Sequence, residues 1–137
     1  MAEVGAEAGV VNKQYSIAPL TADFNADGRP DIVHINVAGK SQAFLSSGSA
    51  DNGYLKVRLP DTIASIGAKV EVTLGDGSIV RKVFSSGEGL LSDSSHVVIA
   101  GLGKQKAATV KVIYINGGTQ QMTGSYRNES VTFNGVN

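Results

Sequence analysis

The chain has no cysteine and no tryptophan, and it carries only four tyrosines and four phenylalanines in 137 residues. Without thiols there are no disulfides, no cysteine nucleophile and no zinc–thiolate site, although the compartment is left open. Basic and acidic residues balance at 12 each, and no basic run exceeds the dipeptide Arg81-Lys82. With so few aromatics as well, the electrostatic and stacking footprint of a nucleic-acid binder is missing. No apolar run approaches the roughly 18 residues that span a bilayer as a helix. The stretch Met1-Ala2-Glu3-Val4-Gly5-Ala6-Glu7 has neither the basic nor the apolar region of a secretion signal.

What is present is glycine, 17 residues of it, and short β-branched runs between turn dipeptides. That combination predicts an all-β fold. In Tyr54-Leu55-Lys56-Val57-Arg58-Leu59 the apolar residues alternate, so Leu55, Val57 and Leu59 face a core and Tyr54, Lys56 and Arg58 face away. Ala68, Val70, Val72 and Leu74 repeat the pattern, Gly75-Asp76-Gly77 is a hairpin turn, and Ile79 to Phe84 returns antiparallel. Further strands are expected over 32–37, 42–45, 96–100, 109–115, 119–123 and 130–133, with a turn at Asn116-Gly117-Gly118. Eight to ten short strands without helical periodicity close most naturally as an antiparallel β-sandwich or squashed barrel. The expected divisions are an extended lead-in over 1–20, a metal-loop hairpin over 21–50 and a sandwich over 51–137. The last two are expected to form one compact unit.

The sharpest chemical signal is Asp23-Phe24-Asn25-Ala26-Asp27-Gly28-Arg29-Pro30-Asp31. Asp23, Asn25, Asp27 and Asp31 place side-chain oxygens at loop positions 1, 3, 5 and 9, and Arg29 offers its carbonyl at position 7. Calcium takes about six to eight oxygen ligands at roughly 2.3–2.6 Å, and such a loop can supply them. Gly28 permits the sharp turn because it has no Cβ to clash at positive φ. An EF-hand is not expected, because position 12 is His34 rather than a bidentate Glu and a β-branched run follows. An Asx-rich turn without metal uses the same residue types. Three carboxylates within nine residues, with Arg29 the nearby positive charge, favour a bound cation, Ca2+ before magnesium.

The loop and the strand after it, Asp23 through Val33, resemble the calcium loop of FG-GAP/VCBS-type repeats. Over about residues 53–124, five motifs appear in the order found in the ASPIC/UnbV domain. They are Tyr54 to Leu59, Ile66-Gly67-Ala68-Lys69-Val70, Ser86-Gly87-Glu88-Gly89-Leu90-Leu91-Ser92, Gly101-Leu102-Gly103, and Val110 to Gly118. Ala100 stands where the family usually has an aromatic, and Tyr114-Ile115-Asn116 where it usually has Trp-Pro. The resemblance implies an exported protein. On that reading the chain is either the C-terminal part of a longer one or a small stand-alone member.

Catalysis has little support. His34 and His96 read as structural histidines, no Gly-x-Ser-x-Gly elbow occurs, and Gly101-Leu102-Gly103-Lys104 lacks the helix a phosphate loop requires. Asn128-Glu129-Ser130 is a formal glycosylation acceptor that also suits a surface turn. The strand lysines Lys56, Lys69 and Lys111 sit among polar neighbours, which disfavours isopeptide crosslinks. The expected function is therefore that of a non-enzymatic calcium-binding β module of an extracellular or periplasmic protein, in adhesion, matrix contact or spacing. Its partners would be a protein or glycan on the cell surface or matrix. Two alternatives remain: a self-assembling subunit exchanging strands through Val10–Leu20 and Val131–Val136, and a carbohydrate-binding module with Tyr54, Tyr114 and Tyr126 as stacking platforms.

Overall fold

The alternation read over 54–59 and 68–74 is realised in two strands whose burial alternates residue by residue. The computed structural model describes residues 4–48, 51–86 and 97–135. The described residues form ten strands: β1 (Ser16–Ala22), β2 (Asp31–Asn36), β3 (Gln42–Phe44), β4 (Gly53–Arg58), β5 (Lys69–Leu74), β6 (Ile79–Val83), β7 (Val97–Gly103), β8 (Ala107–Ile113), β9 (Thr119–Tyr126) and β10 (Glu129–Thr132). One 3₁₀ turn, Ile63–Ser65, links β4 to β5. The expected loop at Gly87-Glu88-Gly89, the family motif around it and His96 lie outside the described residues.

Two sheets face each other as a sandwich, one in the order β10-β4-β7 and the other β6-β5-β8-β9. Leu55, Val57, Val98, Ala100, Leu102 and Val131 come from the first, and Val70, Val72, Ala107, Val110 and Val112 from the second, all buried in one cluster. Fully burying side chains of this size contributes about 1.5–3 kcal/mol each, so this cluster dominates the stability. The inward sets expected at 55–59 and 68–74 are all in it. Tyr114 joins the cluster, and its hydroxyl donates to Gln120 Oε1 at 2.9 Å. Burial raises the Tyr114 pKa above its ordinary 10.0. Gln120 Nε2 then donates to the Gly135 carbonyl at 2.8 Å, tying the last described residue to the sandwich.

The remaining strands, β1-β2-β3, form a separate antiparallel meander. β1 begins at Ser16, inside the stretch expected as a lead-in.

β10 departs from the antiparallel pattern: it runs parallel to β4, pairing Val131 with Val57. The chain leaves β9 on one sheet and crosses to the other at Arg127-Asn128. Asn128 adopts φ 55°, a left-handed conformation that asparagine tolerates better than most residues. Its N–H donates to the Tyr54 carbonyl at 2.7 Å, and its side-chain oxygen accepts from Tyr54 N–H at 3.1 Å. Arg127 fixes the same crossover from within. Its guanidinium donates to the carbonyls of Gln105 and Asp51 at 2.6 Å each and of Gly103 at 3.2 Å. A cation thus collects the carbonyls at the ends of β7, β8 and β4. Charge-assisted bonds of this kind are about twice as strong as neutral ones.

The hairpin turn between β5 and β6 is tightened by Asp76, whose Oδ1 accepts from Ser78 Oγ at 2.6 Å and from Ser78 N–H at 2.9 Å. Those two bonds hold the Asp76 carboxyl below its ordinary 3.8. A carboxylate depressed on folding stabilises the fold above the unfolded value, and that contribution is lost as pH falls through the lower, folded value. In an acid titration followed by NMR, the Ser78 amide resonance is expected to move with a midpoint below 3.8. A midpoint at or above that value would show that the turn does not depend on the charged side chain.

Candidate metal loop and its seat on the sandwich

The loop between β1 and β2 folds because its side chains accept from its own backbone. Asp23 Oδ2 accepts from Gly28 N–H at 2.8 Å, Asn25 Oδ1 from Asp27 N–H at 3.1 Å, and Asp27 Oδ1 from Arg29 N–H at 2.9 Å. The last two are Asx-type turns laid end to end, and the first spans the loop from Asp23 to Gly28. Arg29 N–H is the main reason the Asp27 carboxyl is held below 3.8, with Asn25 and the Arg29 guanidinium, 3.2 Å from Asp27 Oδ2, adding to it.

Asp31 sits differently. It is fully buried at the start of β2, with Oδ2 accepting from Phe24 N–H at 2.9 Å and Oδ1 from Ser46 N–H at 2.8 Å. One carboxylate therefore joins the entry of the loop to the exit of β3. The structure brings Asp23, Asn25, Asp27 and the Arg29 backbone into one turn, while both Asp31 oxygens are engaged on its inner side. Among the described residues, no group of three or more His, Cys, Asp or Glu side chains is arranged to hold a metal ion.

The loop is seated on the outer face of the three-stranded sheet. The Tyr54 ring lies against Gly28 so closely that a Cβ on Gly28 would stand 2.0 Å from two ring carbons. Beside it the Lys56 ammonium meets Asp23 Oδ2 at 2.5 Å and lies 5.4 Å from the centre of the Tyr54 ring. Both partners are sheltered, the Asp23 side chain 5% exposed and that of Lys56 14%. Burial works against an ionised Asp23, but the Lys56 hydrogen bond, the Gly28 N–H and the Lys56 charge outweigh it and lower its pKa below 3.8. Tyr54 and Lys56 do point away from the core, as their alternation requires. What the sequence does not reveal is that the loop covers them, because no local pattern marks a contact between residues this far apart.

Of the loop oxygens, Asp23 Oδ1 is left buried without a hydrogen bond. The nearby Asp27 N–H is taken by Asn25. An orphaned buried carboxylate oxygen has a real cost, and a cation would remove it. The donor types are those a hard cation takes, since a carboxylate oxygen that accepts one N–H keeps a second lone pair. His34, in β2, packs edge-on against Phe44 with ring centroids 5.7 Å apart.

These features define an all-β sandwich with a three-stranded meander docked through an acidic loop. The family model described as ASPIC and UnbV matches residues 61–135, more than half the chain, and the chain belongs to that family. The match takes in β5 to β10, so β4 and the meander lie before it. No curated protein matches the chain.

Gly28 has φ +86° and Gly77 has φ +85°, but a Cβ on Gly77 meets nothing within 4 Å. The pair separates backbone strain from contact with Tyr54. Gly77→Ala should cost roughly 1 kcal/mol. Gly28→Ala should cost at least about twice that, because Tyr54 must also move. Equal losses in urea denaturation would mean that the loop does not rest on Tyr54.

Proposed function

We propose that this chain is a non-enzymatic calcium-binding β module of an extracellular or periplasmic protein, serving in adhesion, matrix contact or spacing. The observation that carries the reading is Asp23 Oδ1, a buried carboxylate oxygen without a partner in a loop that offers three carboxylates, an amide oxygen and a backbone carbonyl. Asp23, Asn25, Asp27 and Asp31 would hold the ion with the Arg29 carbonyl. The ion would supply positive charge that draws the loop oxygens together. The FG-GAP-like pattern of the loop supports the same reading. So does the compartment it implies, where calcium is abundant enough to fill sites with dissociation constants of about 10⁻⁴–10⁻³ M. A ligand present at 100 times its dissociation constant adds about 2.7 kcal/mol to stability.

A second reading, assembly through terminal strands, is favoured by one feature of the topology: β1 and β10, the first and last strands, each stand at a sheet edge. Edge strands offer unpaired backbone groups to a neighbouring chain. Pro19 in β1 removes one such donor.

Thermal melts with calcium, with magnesium and with a chelator test both readings when run at two protein concentrations. The calcium reading expects a rise of several degrees with calcium alone, absent in Asp27→Ala. No shift in any buffer would sink it. A midpoint that rises with protein concentration would favour assembly, and one that does not would exclude it.

A further inference from the structure

We infer that Lys56 is a built-in competitor of the metal: its ammonium occupies Asp23 as a surrogate cation, so calcium must displace it, and Lys56 thereby sets the calcium affinity of the loop. This inference rests on the calcium reading of the loop and adds a residue from outside it.

Lys56 belongs to β4, in the sandwich, yet its ammonium is 2.5 Å from Oδ2 of the residue at loop position 1. The contact is not an exposed pair that solvent screens, since the side chains are 14% and 5% exposed. In such surroundings a single positive charge interacts strongly with its carboxylate, and it repels a divalent ion brought to the same group. The neighbours reinforce both effects. Arg58, two residues along the same face of β4, lines the same small recess as Asp23 and Lys56, together with Val97 and Ile99. Its charge opposes a second cation there. On the other side, the Tyr54 ring presents its negative face to the Lys56 ammonium.

Two states of the loop follow. Without calcium, Lys56 neutralises Asp23, the loop stays seated on Tyr54, and Asp23 Oδ1 remains unsatisfied. With calcium, Asp23 turns to the ion and Lys56 is released toward solvent. The meander is then held to the sandwich by the Tyr54–Gly28 contact without the ion pair. Filling the loop is in this way linked to how firmly the meander is held on the sandwich.

Calorimetric titration of the full chain with calcium chloride tests this on wild type, on Lys56→Met, which keeps most of the stem but loses the charge, and on Lys56→Arg, which keeps the charge. Lys56→Met should bind calcium on the order of tenfold tighter than wild type, and Lys56→Arg about as wild type does. Lys56→Met should also melt below wild type in chelator, with the gap closing in calcium. Should Lys56→Met fail to fold, reductive methylation of wild type mapped by mass spectrometry reads the same event: Lys56 is protected in chelator and becomes reactive in calcium. Equal calcium affinity in wild type and Lys56→Met, or Lys56 protected equally with and without bound calcium, overturns the role of Lys56 and leaves the calcium reading standing. No binding by any of the three proteins overturns the calcium reading itself.

Discussion

A buried contact between opposite charges joins the two parts of this chain. Asp23, in the loop of the meander, and Lys56, on the outer face of the sandwich, are both largely withdrawn from water. Each would be costly to bury alone, because an ionised group loses several kcal/mol of hydration in the interior. Together, with the Gly28 N–H on the same carboxylate and the Tyr54 ring beside the ammonium, they are tolerated. The seat of the loop depends on this arrangement. Asp31 serves the meander in a similar way, holding two of its backbone amides with one buried carboxylate. Acidic side chains that would ligate a metal thus also act, without one, as backbone acceptors.

The sandwich beneath is ordinary by comparison, a Val- and Leu-rich cluster between two sheets to which the loop contributes no residue. Where the topology turns difficult, at the crossover from β9 to β10, the structure uses a guanidinium rather than a metal. Arg127 collects three carbonyls, and Asn128 adopts the left-handed turn and bonds Tyr54 through its backbone and its side chain. Tyr54 therefore stands between the crossover on its backbone side and the acidic loop on its ring side.

Much of this architecture was legible in the sequence. Period-two alternation gave the buried faces of β4 and β5, because a strand with one face on a core can hardly be written otherwise, and Asp76-Gly77 announced its turn. The parallel pairing of β10 was not legible, since four residues such as Glu129–Thr132 read the same in either direction. Nor was the part played by Lys56. Alternation assigns it correctly to the face away from the core, but only tertiary structure decides whether water or Asp23 meets it there. Within the loop, the spacing placed the side-chain oxygens of Asp23, Asn25 and Asp27 where they accept from the loop's own backbone. The burial of Asp31 against Phe24 and Ser46 depended on where β3 ends, which the loop sequence does not encode.

Asp23 and Lys56 hold the loop to the sandwich as a pair. A double-mutant cycle with Asp23→Asn and Lys56→Met, measured by urea denaturation in chelator, tests it most directly. Each single change should be destabilising and the double mutant should recover part of the loss, with a coupling energy of about 2 kcal/mol. Losses that add to within about 0.5 kcal/mol would contradict the pairing. The meander would then be held to the sandwich by something other than this contact.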